Sequence, residues 1–221
     1  MKAIFFLLLS VCTFSKVIFV FIGNVGYGKS KLINSLAGRN ITKSGNGTEQ
    51  TTTHCRLLNL KSHSGNIYSF IDTVGYNGVA KIKRFMGIML LLSRQSMDDL
   101  VKIVLFEVTR ASALYMPASY REIVRILGEQ CKQSIIIAVT NSTQVIGSYG
   151  NTRLRYIKES AKSLSLPLFI QSDGADSVSD WENLLSTASL IHGCRVGNII
   201  AHYNALGEVI AKNRTVYKED L

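Results

Sequence analysis

The stretch Gly23-Asn24-Val25-Gly26-Tyr27-Gly28-Lys29-Ser30 completes the pattern G-x-x-x-x-G-K-[ST]. It lies between the apolar run 17–22 (VIFVFI) and the helix-like run 31–36 (KLINSL). A strand, a glycine-rich turn and a helix in this order favour polyphosphate binding, because backbone N–H groups can turn inward and the helix N-terminus adds positive potential. We predict that residues 23–31, including Lys31, bind the nucleotide. Lys29 should reach the β- and γ-phosphates, and the Ser30 hydroxyl should ligate Mg²⁺.

Composition favours one compact α/β domain. The 221 residues are 47% hydrophobic and 18% charged, with only two prolines, and they suffice for a sizeable core. A net charge of +10 should attract anions such as nucleotides, acidic lipid or RNA. The sequence has no clustered basic run and no interleaved aromatic platform, so nucleic-acid binding is unsupported.

The first residues form an apolar leader. Residues 1–15 fit either a signal peptide or a membrane anchor, and we divide the chain into this leader and a nucleotide-binding domain over 16–221 with a C-terminal helical extension. Cleavage after the leader would keep an odd number of cysteines, which cannot form a closed disulfide set; these are Cys55, Cys131 and Cys194. We therefore expect a cytoplasmic or membrane-associated protein, with secretory entry through a signal peptide as the alternative.

Apolar runs and their breaks predict the order of elements. Strands are expected at 17–22, 54–60, 67–72, 102–108, 134–139 and 166–170, and helices at 29–37, 81–93, 118–129 and 151–164, with one or two closing helices over 179–212. Strands that alternate with helices indicate a mostly parallel sheet with helices on both faces. The second and third strands are joined by a short turn, so they should form one antiparallel hairpin at the edge.

A second motif, Ile71-Asp72-Thr73-Val74-Gly75, ends the third strand. A carboxylate at the end of a rigid strand can hold a metal-bound water, and Gly75 can offer its N–H to a γ-phosphate. The polar loop 45–53 lies between the two motifs, and one of its threonines could complete the Mg²⁺ shell and report the γ-phosphate. We choose Thr52, with Thr51 and Thr53 as alternatives, and predict a Mg²⁺ site of Ser30, Thr52 and Asp72.

These motifs resemble those of the translation-factor-like class of P-loop GTPases. The block GNVGYGKSKLINSLAG is similar to the first motif of the immunity-associated nucleotide-binding GTPases and of their septin and chloroplast import-receptor relatives, and QTTTHCR resembles the switch loop of ribosome-assembly GTPases. The resemblance covers about residues 17–190. It implies a Ras-like G domain that binds GTP or GDP with Mg²⁺, catalytic roles for Lys29, Thr52 and Gly75, and a homodimer through the nucleotide face or association with membranes.

The base-reading motif departs from the family pattern. The family has N-K-x-D after the fifth strand, whereas this chain has Asn141-Ser142-Thr143-Gln144. A carboxylate accepts hydrogen bonds from two guanine donors, but Gln144 offers a single carbonyl acceptor. Ser172 alone matches the later S-A-K loop of the family. We predict that Asn141, Gln144 and Ser172 contact the base and that the preference for GTP over ATP is weak.

Two functions stay open from the sequence. Gly75 is followed by Tyr76 and not by a glutamine that could orient water, so any hydrolysis should be slow. Arg84, Arg94 and Arg110 could neutralise phosphate charge, although we expect each at the surface. The first hypothesis is a molecular switch or assembly regulator with slow, Mg²⁺-dependent GTP hydrolysis. The alternative is a nucleotide-binding interaction module with little or no turnover.

Overall fold

The computed structural model describes residues 16–42, 53–62, 65–75, 81–108, 116–140, 148–171, 177–190 and 193–219. Several predictions concern residues outside these ranges and stay predictions. They are the leader 1–15, the threonine choice at Thr52, the base contacts of Asn141, Gln144 and Ser172, and the surface position of Arg110.

The described strands form one sheet in the order β2-β3-β1-β4-β5-β6, with β7 beside β4. Their bounds are β1 Val17–Ile22, β2 Arg56–Lys61, β3 Ile67–Asp72, β4 Leu100–Val108, β5 Ile135–Thr140, β6 Leu168–Ile170 and β7 Cys194–Arg195. Strands β3, β1, β4, β5 and β6 run parallel, and β2 pairs antiparallel with β3 at the edge. The predicted mostly parallel sheet with an antiparallel edge hairpin is confirmed.

Helices cover both faces of this sheet. They are α1 Lys29–Ala37, α2 Lys81–Leu92, α3 Met116–Leu127, α4 Ser148–Ser163, α5 Ser177–Leu190 and α6 Val196–Glu219. One apolar layer packs α2, α3, α4 and α6 against the sheet, and the other packs α1 and α5 against its opposite face. No helix in the described ranges combines the length and apolar composition that a membrane crossing requires.

Strand β1 is buried on both sides because successive side chains point to opposite faces. Ile18 and Val20 belong to the layer of α2, α3, α4 and α6, whereas Phe19 and Phe21 belong to the layer of α1 and α5. The continuous apolar run in the sequence therefore reflects a central strand covered on both faces.

The C-terminal part differs from the expected run of helices. Between α5 and α6, β7 pairs antiparallel with the start of β4. Cys194 of β7 forms a disulfide with Cys131, which lies in a short 3-10 helix at Glu129–Ser134. The three described cysteines do not form a closed disulfide set, since this one disulfide leaves Cys55 free.

Candidate nucleotide-binding site

The glycine-rich loop connects β1 to α1. Gly26 and Gly28 have positive φ angles of 77° and 85°, in the region where a Cβ atom is strained. Gly28 caps α1, and its carbonyl accepts the first helical bond from the Leu32 N–H at 2.9 Å. Gly23 has a different requirement, since a Cβ there would lie 2.8 Å from the Phe106 Cβ of β4. The loop therefore needs its glycines for conformation at two positions and for close packing at the third.

Lys29 begins α1 and turns back into the loop. Its side chain is 6% exposed, and its Nζ donates to the Gly23 carbonyl at 2.8 Å and to the Asn24 carbonyl at 2.9 Å. Burial lowers the pKa of Lys29 to about 8, while the nearby Asp72 carboxylate opposes that shift. A phosphate oxygen would be a stronger partner for this ammonium than two neutral carbonyls, because charge-assisted hydrogen bonds are about twice as strong as neutral ones.

Ser30 and Asp72 meet at the start of α1. The parallel register places Asp72 of β3 opposite Phe21 of β1, and the Ser30 hydroxyl donates to Asp72 Oδ2 at 2.9 Å. Asp72 is 1% exposed, and its Oδ1 atom has no hydrogen-bond partner among the described residues. Burial raises the pKa of Asp72, although the Ser30 hydrogen bond and the Lys29 charge oppose the increase.

The Ser30 and Asp72 oxygens fit a Mg²⁺ ion. A buried carboxylate oxygen without a partner costs free energy, which a bound cation would offset, and hard oxygen donors are the ligands that Mg²⁺ prefers. Within the described ranges, no group of three or more His, Cys, Asp or Glu side chains could hold a metal by itself. The ion would therefore depend on phosphate oxygens, as in sites where one or two protein oxygens share Mg²⁺ with a nucleotide.

Gly75 lies against the glycine-rich loop. A Cβ atom at this position would approach the Val25 N and Cα atoms to 2.8 Å, so a side chain there would displace the loop. The Thr73 hydroxyl also donates to the Phe21 carbonyl. Thr73 thus attaches the end of β3 to β1, and Gly75 lies against the loop that leads to Lys29 and Ser30.

Strand β5 reaches the same loop from the other side. The Thr140 hydroxyl donates to the Tyr27 carbonyl at 3.1 Å, and Asn24 Nδ2 donates to the Tyr27 hydroxyl at 3.1 Å. Thr140 directly precedes Asn141 in the sequence. Lys31 is exposed on α1, and its assignment to the nucleotide stays a prediction.

The sequence profile of the 50S ribosome-binding GTPase family matches residues 18–142, which is more than half of the chain. The chain belongs to this family. The strand order, the glycine-rich loop and the Asp72 motif are accordingly those of a G domain. No curated protein matches the sequence significantly.

Solved structures share this fold at low sequence identity. Era in complex with MgGDPNP and 16S ribosomal RNA is 18% identical with a TM-score of 0.57, and the match covers 82% of this chain and 59% of the Era chain. A dimerization-deficient mutant of Toc33 from Arabidopsis thaliana is 15% identical with a TM-score of 0.56, and the match covers 86% of this chain and 84% of the Toc33 chain. A structure of the chloroplast translocon components atToc33 and psToc159 is 13% identical with a TM-score of 0.60, and the match covers 82% of this chain and 86% of the matched chain.

Asn34, which was not among the predicted site residues, holds the segment after α1 against that helix. Asn34 Oδ1 accepts from the Ile41 N–H at 3.0 Å and from the Thr42 N–H at 2.8 Å, while its Nδ2 donates to the Thr42 carbonyl at 2.9 Å. The segment that leads toward the threonine-rich loop is therefore attached to α1. A buried asparagine inside a helix is the signal that could have revealed this role, since asparagine disfavours helix interiors and bonds readily to backbone.

Arg84 does not lie at the surface as expected. It is only 1% exposed on α2, whereas Arg94 beyond the end of α2 is exposed. The helical period offered a signal, because Arg84 lies four residues before Ile88 and so shares its buried stripe. The surface prediction is thus wrong for Arg84.

A buried contact between Arg153 and Glu107 attaches α4 to the end of β4. Arg153 Nη2 lies 3.2 Å from Glu107 Oε2, with the two side chains 3% and 2% exposed, and Arg153 Nε donates to the Val108 carbonyl at 2.9 Å. Burial raises the pKa of Glu107 to about 7, and Arg153 opposes that shift. The pair holds α4 at the carboxyl end of the parallel strands, where the glycine-rich loop also lies.

Proposed function

We propose that this G domain binds GTP and GDP together with Mg²⁺ and acts as a switch whose GTP hydrolysis is slow. One observation carries the proposal: the buried Oδ1 atom of Asp72 has no hydrogen-bond partner in the described part of the site. Its Oδ2 atom accepts a hydrogen bond from the Ser30 hydroxyl. A buried carboxylate oxygen without a partner destabilises a protein core, whereas beside a buried lysine it can bind a metal ion that accompanies a polyphosphate.

The roles of the residues follow from their positions. Lys29 would exchange its two carbonyl partners for phosphate oxygens, while Ser30 and Asp72 hold the metal. Mg²⁺, when bound, would offset phosphate charge around the terminal phosphate. Gly75 would offer its backbone N–H at a point where no side chain obstructs it. Tyr76 follows in the sequence and cannot orient an attacking water as a glutamine does, which supports slow turnover.

Calorimetric titration with GDPNP and GDP tests the binding proposal. Lys29→Ala should lower the affinity for GDPNP at least 100-fold, because a charge-assisted contact with phosphate is lost. Lys158→Ala is the control, since this lysine is exposed on α4, outside the predicted nucleotide contacts, and should change affinity little. Equal affinities of wild type and Lys29→Ala would contradict the assignment.

The metal is tested separately. Asp72→Asn should remove most of the Mg²⁺ dependence of GDPNP binding, and a chelator should weaken binding to the wild type but scarcely to the variant. Affinity that is indifferent to the chelator in the wild type would show that the metal site is misread. Single-turnover hydrolysis then separates a slow switch from an interaction module with little turnover.

Self-association is part of the proposal. The atToc33 and psToc159 structure concerns dimerization that is important for GTPase activity, and this chain shares that fold. We expect a homodimer through the nucleotide face that forms more readily with GDPNP than with GDP. Analytical ultracentrifugation with each nucleotide measures this difference, and a monomer in every nucleotide state would refute it.

A further inference from the structure

Exposed apolar side chains gather at one end of the domain. Four large apolar side chains of the described residues are more than half exposed, and we call them the apolar patch: Ile67, Met86, Leu90 and Met97. Met86 and Leu90 lie one turn apart and so share a face of α2. The stretch 85–92 (FMGIMLLL) of this helix contains no polar residue. A helix that is apolar all round is normally buried on all sides, so the face that the described residues leave exposed calls for a further covering element.

The sheet brings the other two members of the patch to the same place. Ile67 begins β3, two residues before the pair of Ser69 with Ile18 of β1, and so lies beside the start of β1. Its side chain points to the same face as Ile71, which belongs to the apolar layer of α2. Met97 lies in the connection from α2 to the start of β4. The apolar patch therefore extends from the amino ends of the parallel strands along α2.

The chain enters the domain at this same end. The Lys16 N–H donates to Asp99 Oδ1 at 3.0 Å, and Lys16 Nζ donates to the Gln95 side chain at 3.0 Å. Gln95 Nε2 in turn donates to the Leu91 carbonyl in the last turn of α2 at 3.1 Å. Gln95 and Asp99 flank Met97 in the sequence. The residues that precede Lys16 therefore start beside the apolar patch.

We propose that the apolar leader, residues 1–15, folds back on the apolar patch and covers the exposed face of α2. Its stretch 3–9 (AIFFLLL) suits such a surface, because apolar side chains gain free energy when they leave water. Eight residues span up to about 26 Å when extended, whereas Met86 lies only about 8 Å before Leu91 along the helix axis. Attachment at Lys16 also gives the leader a higher local concentration at the patch than a separate molecule has.

This inference concerns a surface outside the nucleotide site and does not rest on the proposed function. A leader that is docked on α2 would be withheld from membranes, because the same apolar side chains would serve both contacts. The leader would thus have a partner within its own chain.

Methionine-methyl NMR of the full chain tests this cover. A soluble gadolinium chelate enhances the relaxation of every methyl group that solvent can reach. The enhancement at Met86 and Met97 should be about fivefold smaller in the wild type than in Phe5→Ser/Leu8→Ser, whose polar leader loses the apolar contact. Met89 is the matched control, because it is buried on the same helix and should respond equally little in both proteins.

The native Cys12 reports docking from the side of the leader. In a Cys55→Ala background it is the reactive thiol, since the other two cysteines are paired, and its reaction rate with a maleimide measures its accessibility. Leu90→Ser and Met97→Ser should each raise this rate on the order of fivefold, the factor expected when an apolar contact of that size is lost. Lys158→Ser is the control, because Lys158 is exposed on α4 and should leave the rate unchanged.

Four results would overturn the inference. Met86 and Met97 methyls that are equally accessible in the wild type and the leader variant would do so, as would an unchanged Cys12 rate in both surface variants. Methyl protection that disappears on dilution would assign the patch to a second copy of the chain. Protection that appears only with phosphatidylcholine–phosphatidylserine vesicles would assign it to a lipid surface.

Discussion

The disulfide between Cys131 and Cys194 should contribute a large part of the stability of the domain. It closes a loop with a sequence separation of 63 residues. In the chain-entropy account, a loop of this length lowers the entropy of the unfolded state enough to stabilise the fold by about 4 kcal/mol. A domain of about 200 residues loses roughly 2–4 °C in Tm per kcal/mol. Reduction should therefore lower the Tm by about 8–16 °C.

Thermal melts with and without reductant measure this shift, and thiol titration in denaturant measures the redox state. The titration should find two more thiols after reduction than before. The double variant Cys131→Ala/Cys194→Ala should melt at a lower temperature than the oxidised wild type and should no longer respond to reductant. Cys55→Ala is the matched control, because this free cysteine should leave the response to reductant intact.

Two results would refute the reasoning. An equal thiol count before and after reduction would show that Cys131 and Cys194 are not paired in the folded protein. A Tm that stays constant although two thiols have been released would show that the closed loop does not restrict the unfolded chain as assumed.

Three further predictions concern the pH response, the base and the leader. The pKa of Glu107 rises from 4.5 to about 7 on folding, so the folded protein keeps a proton that the unfolded chain has released. The free energy of unfolding should then fall on the order of 2–3 kcal/mol as the pH rises from about 4.5 to about 7. Denaturant titrations at several pH values measure this dependence. The free energy of unfolding should change less with pH in Glu107→Gln than in the wild type, and it should change as in the wild type in the exposed control Glu159→Gln. Gln144→Asp should increase the preference for GTP over ATP about tenfold or more; competition against a fluorescent GTP analogue tests this, and strong guanine selectivity that the aspartate abolishes would contradict it. A chain that begins at Lys16 should fold and bind nucleotide, because the Lys16 N–H already donates to Asp99 at 3.0 Å; a thermal melt without a transition, where the full chain shows one, would assign residues 1–15 to the core.

The sequence predicted those features that local chemistry determines. Gly26 and Gly28 need positive φ angles, and Asp72 ends an apolar strand, so a short window of sequence carries both signals. Arg84 was misjudged because its burial depends on how α2 packs after folding, and arginine is usually exposed. The two-residue β7 and the Cys131–Cys194 pair also depend on contacts between distant segments, which no local pattern records. The contact between Asn34 and Thr42 was partly predictable. A buried asparagine indicates a hydrogen bond to backbone, but the sequence does not identify Thr42 as the partner.

Strand β1 links the two apolar layers of the domain, since Ile18 and Val20 belong to one and Phe19 and Phe21 to the other. A local opening that frees β1 must therefore break both layers, which amounts to global unfolding. Amide hydrogens of β1 should exchange with solvent only through that rare event, and a ligand on the adjoining glycine-rich loop should slow their exchange by the full factor by which it stabilises the native state. Exchange at Val20 would thus report nucleotide affinity from the centre of the sheet, away from any direct contact with the ligand.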